Sequence, residues 1–317
     1  MPGVIWLHES GCAVLRYIKY DYSAWNRFII YCRRPVMVVR IVTDSTADLP
    51  LDVAEAAGIT IVPLTVFFGD EAYLDGKELT SQEFYSKLQA SKDLPRTSQP
   101  SPAAFQEAFT RLIDEGADGI LSVHLSSRLS GTYQSACNAR DTLPDALKKV
   151  PIDVVDSQSV SAGMGVPLLQ AAEEARQGQS LEEIKAHLVD KFSRTRILAV
   201  LDTLEFIKRG GRIGAARALL GNMLSVKPIV SLKEGAVIPI EQPRTRNKAY
   251  ARVAQLVSEL EPLESVSIVE ANDEVGTQLA QALKAIWPHE VPRYKLGAVL
   301  GTHTGPGTAG VVLITAN

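Results

Sequence analysis

The sequence predicts an α/β protein of two domains, each a sheet covered by helices. Three observations carry this. From residue 37 to the C-terminus, apolar runs of strand length alternate with amphipathic stretches of helical period. The chain has 317 residues, and length alone sets an expectation of about two domains. Polar turns rich in Ser, Thr and Gly follow several of the apolar runs, at the strand ends where ligands of α/β sheets lie.

Residues 1–36 do not fit the alternation. They hold two of the three Trp and two of the three Cys, and they show neither helical nor strand periodicity. Charges interrupt every apolar run and no small-residue cleavage site follows, so this is not a secretory signal. The functional chain is expected to start at Met37, with 1–36 a poorly ordered leader.

The elements then follow in order. Residues 38–42 read as a buried strand, ending in the polar turn Thr43-Asp44-Ser45-Thr46. Pro50 opens a short helix and Gly58 stops it. One or two strands, broken near Pro63, occupy 59–68, and 71–73 is expected to pair back as a hairpin across Gly69-Asp70. Thr80 and Glu83 form a capping box for the next helix. Ser101 and Pro102 open a helix over 102–114, with Phe105, Ala108, Phe109 and Leu112 on one face. A strand at 120–125 feeds a helix from Tyr133, and a strand at 152–155 ends in Asp156-Ser157. Helices at 160–176 and 181–192 lead to a strand at 196–200. Helical turns at 204–212 and 215–220 precede a hairpin of 226–232 with 236–240. An amphipathic helix at 246–260, a strand at 266–270, a helix at 277–286 and strands at 293–299 and 311–315 complete the chain.

Composition excludes several classes. Hydrophobic residues make up 46% and charged residues 22%, ordinary for a globular protein. A net charge of −3 supplies no overall basic field to hold nucleic acid. Cys12, Cys32 and Cys137 have no metal or redox spacing and fit a reducing cytoplasm. No apolar run is long enough to span a bilayer.

The stretch with the most chemistry is 118–140. An apolar strand enters the loop Ser126-Ser127-Arg128-Leu129-Ser130-Gly131-Thr132, and a helix follows. Backbone N–H groups and hydroxyls at a helix start suit an anion such as carboxylate or phosphate, and Gly131 allows close approach. The bland reading of Ser130 is a helix N-cap. Two further polar turns, 96–102 and 301–307, frame the same chemistry, and His303 is the one histidine set in a Gly/Thr turn. The other histidines lack ligand spacing. Residues 305–310 match G-x-G-x-x-G, but a strand follows instead of a helix, so no dinucleotide site is read there. No P-loop is present, and Arg128 stands where a nucleophile elbow needs Gly. Basic residues gather at Lys208, Arg209, Arg212 and Arg217, and at Arg244, Arg246 and Lys248. These are solvated faces or a docking patch for an acidic or phosphorylated partner.

Several motifs recur in fixed order from Met37 onward. They are Thr43-Asp44-Ser45-Thr46, Thr97-Ser98-Gln99-Pro100, Leu125-Ser126-Ser127 with Leu129-Ser130-Gly131-Thr132-Tyr133-Gln134-Ser135, and Asp156-Ser157. Then come Leu204-Glu205-Phe206 with Gly210-Gly211-Arg212-Ile213, Lys227-Pro228, Arg244-Thr245, and His303 with Gly305, Gly307 and Gly310. On these residues the chain closely resembles the DegV family of fatty-acid-binding proteins, the B-subunit type of bacterial fatty acid kinase. The leader matches nothing in that family.

The resemblance implies two α/β domains, about 37–160 and 161–317, with the last strands possible returns to the first. It implies a long-chain fatty acid at their junction, its acyl chain in an apolar tunnel. It implies no catalytic residue, no metal and no cofactor. A separate ATP-binding kinase subunit would phosphorylate the carboxylate to an acyl phosphate for phospholipid synthesis, with transient membrane contact for lipid exchange. Carried over by motif, Thr97, Ser98, Ser130, Gly131 and His303 are the carboxylate-site candidates. Arg212 and Arg244 balance the head group or dock the kinase subunit. The rivals are a lipid hydrolase or acyltransferase using Ser130 and His303, and a binding protein for another anionic lipid or a phosphorylated metabolite.

Overall fold

The computed structural model describes residues 16–17, 31–32, 37–222, 226–260 and 262–316. The chain divides into two units, Met1–Met37 and Val38–Asn317. In the first, β1 (Arg16–Tyr17) and β2 (Tyr31–Cys32) pair antiparallel. Apart from these four residues, the expectation of poor order for 1–36 falls outside the described residues.

The second unit carries the alternation. Its first part runs β3 (Val39–Asp44), α1 (Leu51–Ala57), β4 (Ile59–Val62), β5 (Thr65–Phe68), β6 (Glu71–Leu74), α2 (Ser81–Ala90), β7 (Arg96–Ser98), α3 (Pro102–Asp114), β8 (Gly119–His124), α4 (Thr132–Asp141) and β9 (Ile152–Asp156). The second part runs α5 (Ala162–Arg176), α6 (Leu181–Arg194), β10 (Thr195–Val200), α7 (Glu205–Arg209), β11 (Ile229–Lys233), β12 (Ala236–Glu241), α8 (Arg246–Ser258), β13 (Leu263–Glu270), α9 (Asp273–Leu283), β14 (Arg293–Lys295), α10 (Ala298–Thr304) and β15 (Ala309–Thr315).

These strands form three sheets. A parallel sheet has the order β4-β3-β8-β9. Every residue of β8 is buried, the mark of a central parallel strand covered on both faces. Helices α3 and α4 pack Phe105, Phe109, Ala136 and Ala139 against Val42 and Ile120 of this sheet. A mixed six-stranded sheet has the order β12-β11-β10-β15-β13-β14, antiparallel except for β13 with β14. Its outer face presents Leu198, Val200, Ile229, Ile268, Val311 and Leu313 to Tyr250, Val253 and Leu279 of α8 and α9. The third sheet is small and antiparallel, β6-β5-β7, and packs Val66 and Phe68 with Phe84 and Leu88 of α2 and with Val299 of α10. β15 lies in the middle of the six-stranded sheet, so the chain's last strand stays with its second part.

Most local signals act as expected. The Thr80–Glu83 capping box forms, Ser101 caps α3, and Gly58 ends α1 at φ 72°. Two expectations need correction. The predicted strand over 293–299 is only three residues long, Arg293–Lys295, and Val299 belongs to α10. His303 therefore sits on the last turn of a helix, not in a glycine turn, and Gly305 at φ 84° follows the helix end. The physical reason is tertiary: the amides of Gly297 and Ala298 are accepted by Asp48 and Asp75, far away in sequence. The helix after β8 starts at Thr132, one residue before the predicted start, and Gly131 occupies its N-cap position.

Candidate functional site

The carboxyl ends of β8 and β9 face the six-stranded sheet, and a cavity of about 400 Å³ lies between them, lined by Leu125, Leu129, Ser130 and Val160 on one side and by β10 and β11 on the other. This is within the roughly 300–1,000 Å³ of ligand-sized pockets. Strand alternation builds one wall. Ile197, Ala199 and Leu201 line the cavity from β10 and the residue that follows it, while Leu198 and Val200 face the outer core. Val230 and Leu232 of β11 and Val237 of β12 extend the same apolar surface. Leu125, Leu129, Val160, Leu64, Val299 and Leu300 close it from the other side.

The polar end is assembled from four separate stretches. Thr97 and Ser98 come from β7 with Gln99 after it, Ser130 from the β8–α4 loop, Arg212 from the turn after α7, and His303 from α10. Thr97 Oγ1 and His303 Nε2 lie 2.9 Å apart. Ser130 Oγ accepts from the Thr132 amide at 3.3 Å and is 2.9 Å from Thr132 Oγ1, so it turns the loop one residue ahead of the cap position. Arg212 donates from Nε to the Leu129 carbonyl at 3.0 Å and from a terminal nitrogen to the Gly210 carbonyl. It thus ties the α7 turn to the Ser130 loop while remaining exposed. Ser126 donates to the Gly235 carbonyl at 2.7 Å, holding that loop to the β11–β12 hairpin.

Charge at this end has one sign. Neither Asp nor Glu is among the residues lining the cavity, and Arg212 is the cation at its edge. Burial, with the nearby Arg212 charge adding to it, pushes the His303 imidazole down to about 4. The ring is therefore neutral near pH 7. Its Nδ1 is buried without a hydrogen-bond partner, against Gly210, where a Cβ would stand 2.1 Å from that nitrogen. Only Nε2 is offered to the cavity side, next to Thr97. An anion is acceptor-only, and Thr97, Ser98, Ser130, the Gln99 amide and Arg212 supply donors.

The structure brings five of the seven candidate residues to the cavity: Thr97, Ser98, Ser130, Arg212 and His303. Gly131 and Arg244 do not line it. At Gly131 a Cβ would come within 2.4 Å of the Gln99 side chain, so the glycine makes room for Gln99. Arg244 is exposed, one residue before Thr245, the N-cap of α8. A nucleophile–base pair is not assembled either: the hydrogen bonds of Ser130 run to Thr132, and His303 has no carboxylate on Nδ1 to orient it.

Sequence reading missed an Asp–His–Ser chain. Asp44 Oδ2 lies 3.0 Å from His124 Nδ1, and His124 Nε2 lies 2.7 Å from Ser122 Oγ. All three side chains are fully inaccessible, and Asp44 also accepts from the amides of Thr46 and Leu125. None of the three lines either of the cavities beside α10. It pins the ends of β3 and β8 together beneath the Ser130 loop. The alternation of β8 puts Ser122 and His124 on one face, a signal that was present, but the partner Asp44 is 80 positions away.

Fold and cavity together define an α/β protein with a deep amphipathic cavity between its sheets. The family model described as "Uncharacterised protein, DegV family" matches residues 38–316, and the chain belongs to the DegV family. A DegV domain-containing protein of Streptomyces coelicolor is 39% identical over 280 residues, covering 87% of this chain and 98% of the relative. Among solved structures, one described as fatty acid binding of a DegV family protein from Thermus thermophilus matches with TM-score 0.80 at 36% identity. It covers 88% of this chain and 100% of that one. A stearic-acid-binding protein from Eubacterium ventriosum matches with TM-score 0.81 at 28% identity, covering 87% and 98%. No helix among the described residues is long and apolar enough to cross a membrane.

Proposed function

We propose that this chain binds a long-chain fatty acid and presents its carboxylate to a separate ATP-dependent kinase subunit, which forms the acyl phosphate. The observation that carries the binding half is the cavity lining: acid-free, with Thr97, Ser98, Ser130, His303 and Arg212 contributing polar groups and a sheet face that is apolar except for Ser231. A carboxylate removed from water needs such donors, and each methylene buried along the sheet contributes about 0.8 kcal/mol. That apolar wall disfavours a small phosphorylated metabolite. The descriptions of the Thermus thermophilus and Eubacterium ventriosum relatives as fatty-acid and stearic-acid binders support the same ligand. In this reading Thr97, Ser98, Ser130 and His303 hold the carboxylate, and the chain is a cytoplasmic carrier without a catalytic residue, metal or cofactor. It exchanges lipid by transient contact with the membrane surface.

Ser130→Ala removes one hydroxyl donor to the carboxylate. Loss of a hydrogen bond to a charged group costs about 1.5–3 kcal/mol, so palmitate affinity falls at least tenfold by isothermal titration. An unchanged affinity makes Ser130 a turn residue only and removes it from the site.

Arg212 and Arg244 separate the two halves of the proposal. Arg244 is exposed and away from the cavity. Arg244→Glu leaves the palmitate Kd unchanged and weakens pairing with the kinase subunit. Arg212→Glu weakens both, because Arg212 lines the polar end. Surface plasmon resonance against the kinase subunit measures this, and equal subunit affinity for wild type and both variants removes the docking role.

A further inference from the structure

Helix α10 is a wall with two sides. On one side Val299, Leu300 and His303 face the acyl cavity. On the other, a second cavity of about 950 Å³ is lined by Asp48, Asp75 and Tyr85. The first amides of the α10 segment reach across to that second side. Gly297 N–H donates to Asp48 Oδ1 at 2.9 Å, and Ala298 N–H donates to Asp75 Oδ1 at 3.0 Å. Ser161 donates to the other oxygen of Asp48, and Ser45 and the Val299 amide also donate to Asp75. Ser81 holds the Leu296 carbonyl at 2.7 Å just ahead of the helix.

The two carboxylates are unusual for their burial. Asp48 is 8% and Asp75 4% exposed, and neither forms an ion pair among the described residues. The basic groups of the second cavity, Arg293 and Lys295, are engaged with Glu270 and Asp273 instead. The other titratable groups facing the pair are Asp44 below it, Tyr85 from α2 and Asp52 of α1 across the opening. Acids perturbed by burial and sitting in a cleft are candidates for a functional role.

We propose that Asp48 and Asp75 are positioning residues for the carboxylate site: by holding the N-terminal amides of α10 they set where His303 presents Nε2 beside Thr97. The helix is only seven residues long, so a shift at its start is carried to its last turn. Gly301 sits against Phe84 and Tyr85, where a Cβ would come within 2.6 Å, so α10 has no slack on that flank. This inference rests on the fatty-acid reading for its consequence in binding, not for its geometry.

Burial raises the Asp75 carboxyl to about 6, with the Asp44 charge adding to it, and raises Asp48 well above the usual carboxylate range. For an acid raised in the folded state, the neutral form is the stabilised one. That stability is present below the ordinary carboxylate range and is lost as pH rises through about 6. At pH 8 the ionised Asp75 carboxylate therefore works against stability while strengthening its bonds to α10.

The test is Asp75→Asn in the full chain, with Asp48→Asn as the second variant should the first fail to fold. The first readout needs no ligand: the side-chain NMR signals of the His303 imidazole. They shift in the variant at pH 8, and in the wild type they follow a titration near pH 6 that the variant lacks. Palmitate Kd is the second readout. It weakens about tenfold in the variant at pH 8, while Tm at pH 8 holds or rises and the difference in Tm vanishes by pH 4. Superimposable His303 signals and identical pH profiles overturn the proposal. So does a parallel fall of Tm and affinity, which is the mark of lost support alone. If the wild type takes no palmitate, the fatty-acid reading fails, and the NMR comparison still decides the anchoring of α10.

Discussion

Ala199→Phe weakens fatty-acid binding about a hundredfold without unfolding the protein. Ala199 lies between Ile197 and Leu201 on the cavity wall, with Val230 opposite on β11 and Gly310 opposite on β15. It is the smallest side chain on that strip, and it lines the cavity while packing against the cluster that includes Leu201, Ile207 and Val230. A phenyl ring placed there enters the apolar end and takes the path of the acyl chain. Displacing about four methylenes forfeits about 3 kcal/mol at about 0.8 kcal/mol each, roughly a hundredfold in Kd. The outer core does not feel the change, because Leu198 and Val200 carry it on the other face of the strand. Isothermal titration with palmitate reads the effect, and a thermal melt shows that the fold persists. A Kd within threefold of wild type means that the chain does not run along β10.

The second large effect is in acid. His303 is held down to about 4 from an ordinary value of 6.5, by burial first and Arg212 second. Between those values the unfolded chain binds a proton that the native state refuses, so stability rises with pH there. The contribution of neutral His303 is complete above 6.5 and is lost as pH falls through about 4. The shift corresponds to about 3 kcal/mol. His303→Asn removes that dependence. Urea unfolding at pH 7.5 and pH 4 measures it: the variant gains on the wild type by about 3 kcal/mol between the two. Asp75 titrates in both proteins with the opposite sign and cancels in the difference. A difference between variant and wild type that is the same at both pH values removes the buried neutral histidine from the account.

Where local chemistry decides the structure, the sequence was legible. The box Thr80–Glu83, the Ser101 cap and the face Phe105, Ala108, Phe109, Leu112 of α3 all appear as read, since each depends on residues within one or two turns. The hairpin of β11 and β12 follows from its Lys-Glu-Gly connection in the same way. Helix α10 was read as part strand because its start is capped by Asp48 and Asp75, 249 and 223 positions away. The pairing of Thr97 with His303 spans 206 positions, and no spacing rule reaches that far. Family motifs brought both residues forward, but not the geometry that joins them. The same motifs also brought forward Gly131 and Arg244, which do not line the cavity: a motif records that a residue is retained, not whether it touches ligand or makes room for a neighbour such as Gln99.

The central claim is that the cavity between the sheets holds a fatty acid by its carboxylate. Denaturing mass spectrometry of the organic extract of the purified protein tests it most directly. The account predicts a C14–C18 fatty acid at close to one per chain, retained by Arg244→Glu, reduced in Ser130→Ala and absent from Ala199→Phe. An empty cavity that also refuses added palmitate contradicts it, as does a fatty acid carried equally by wild type and Ala199→Phe.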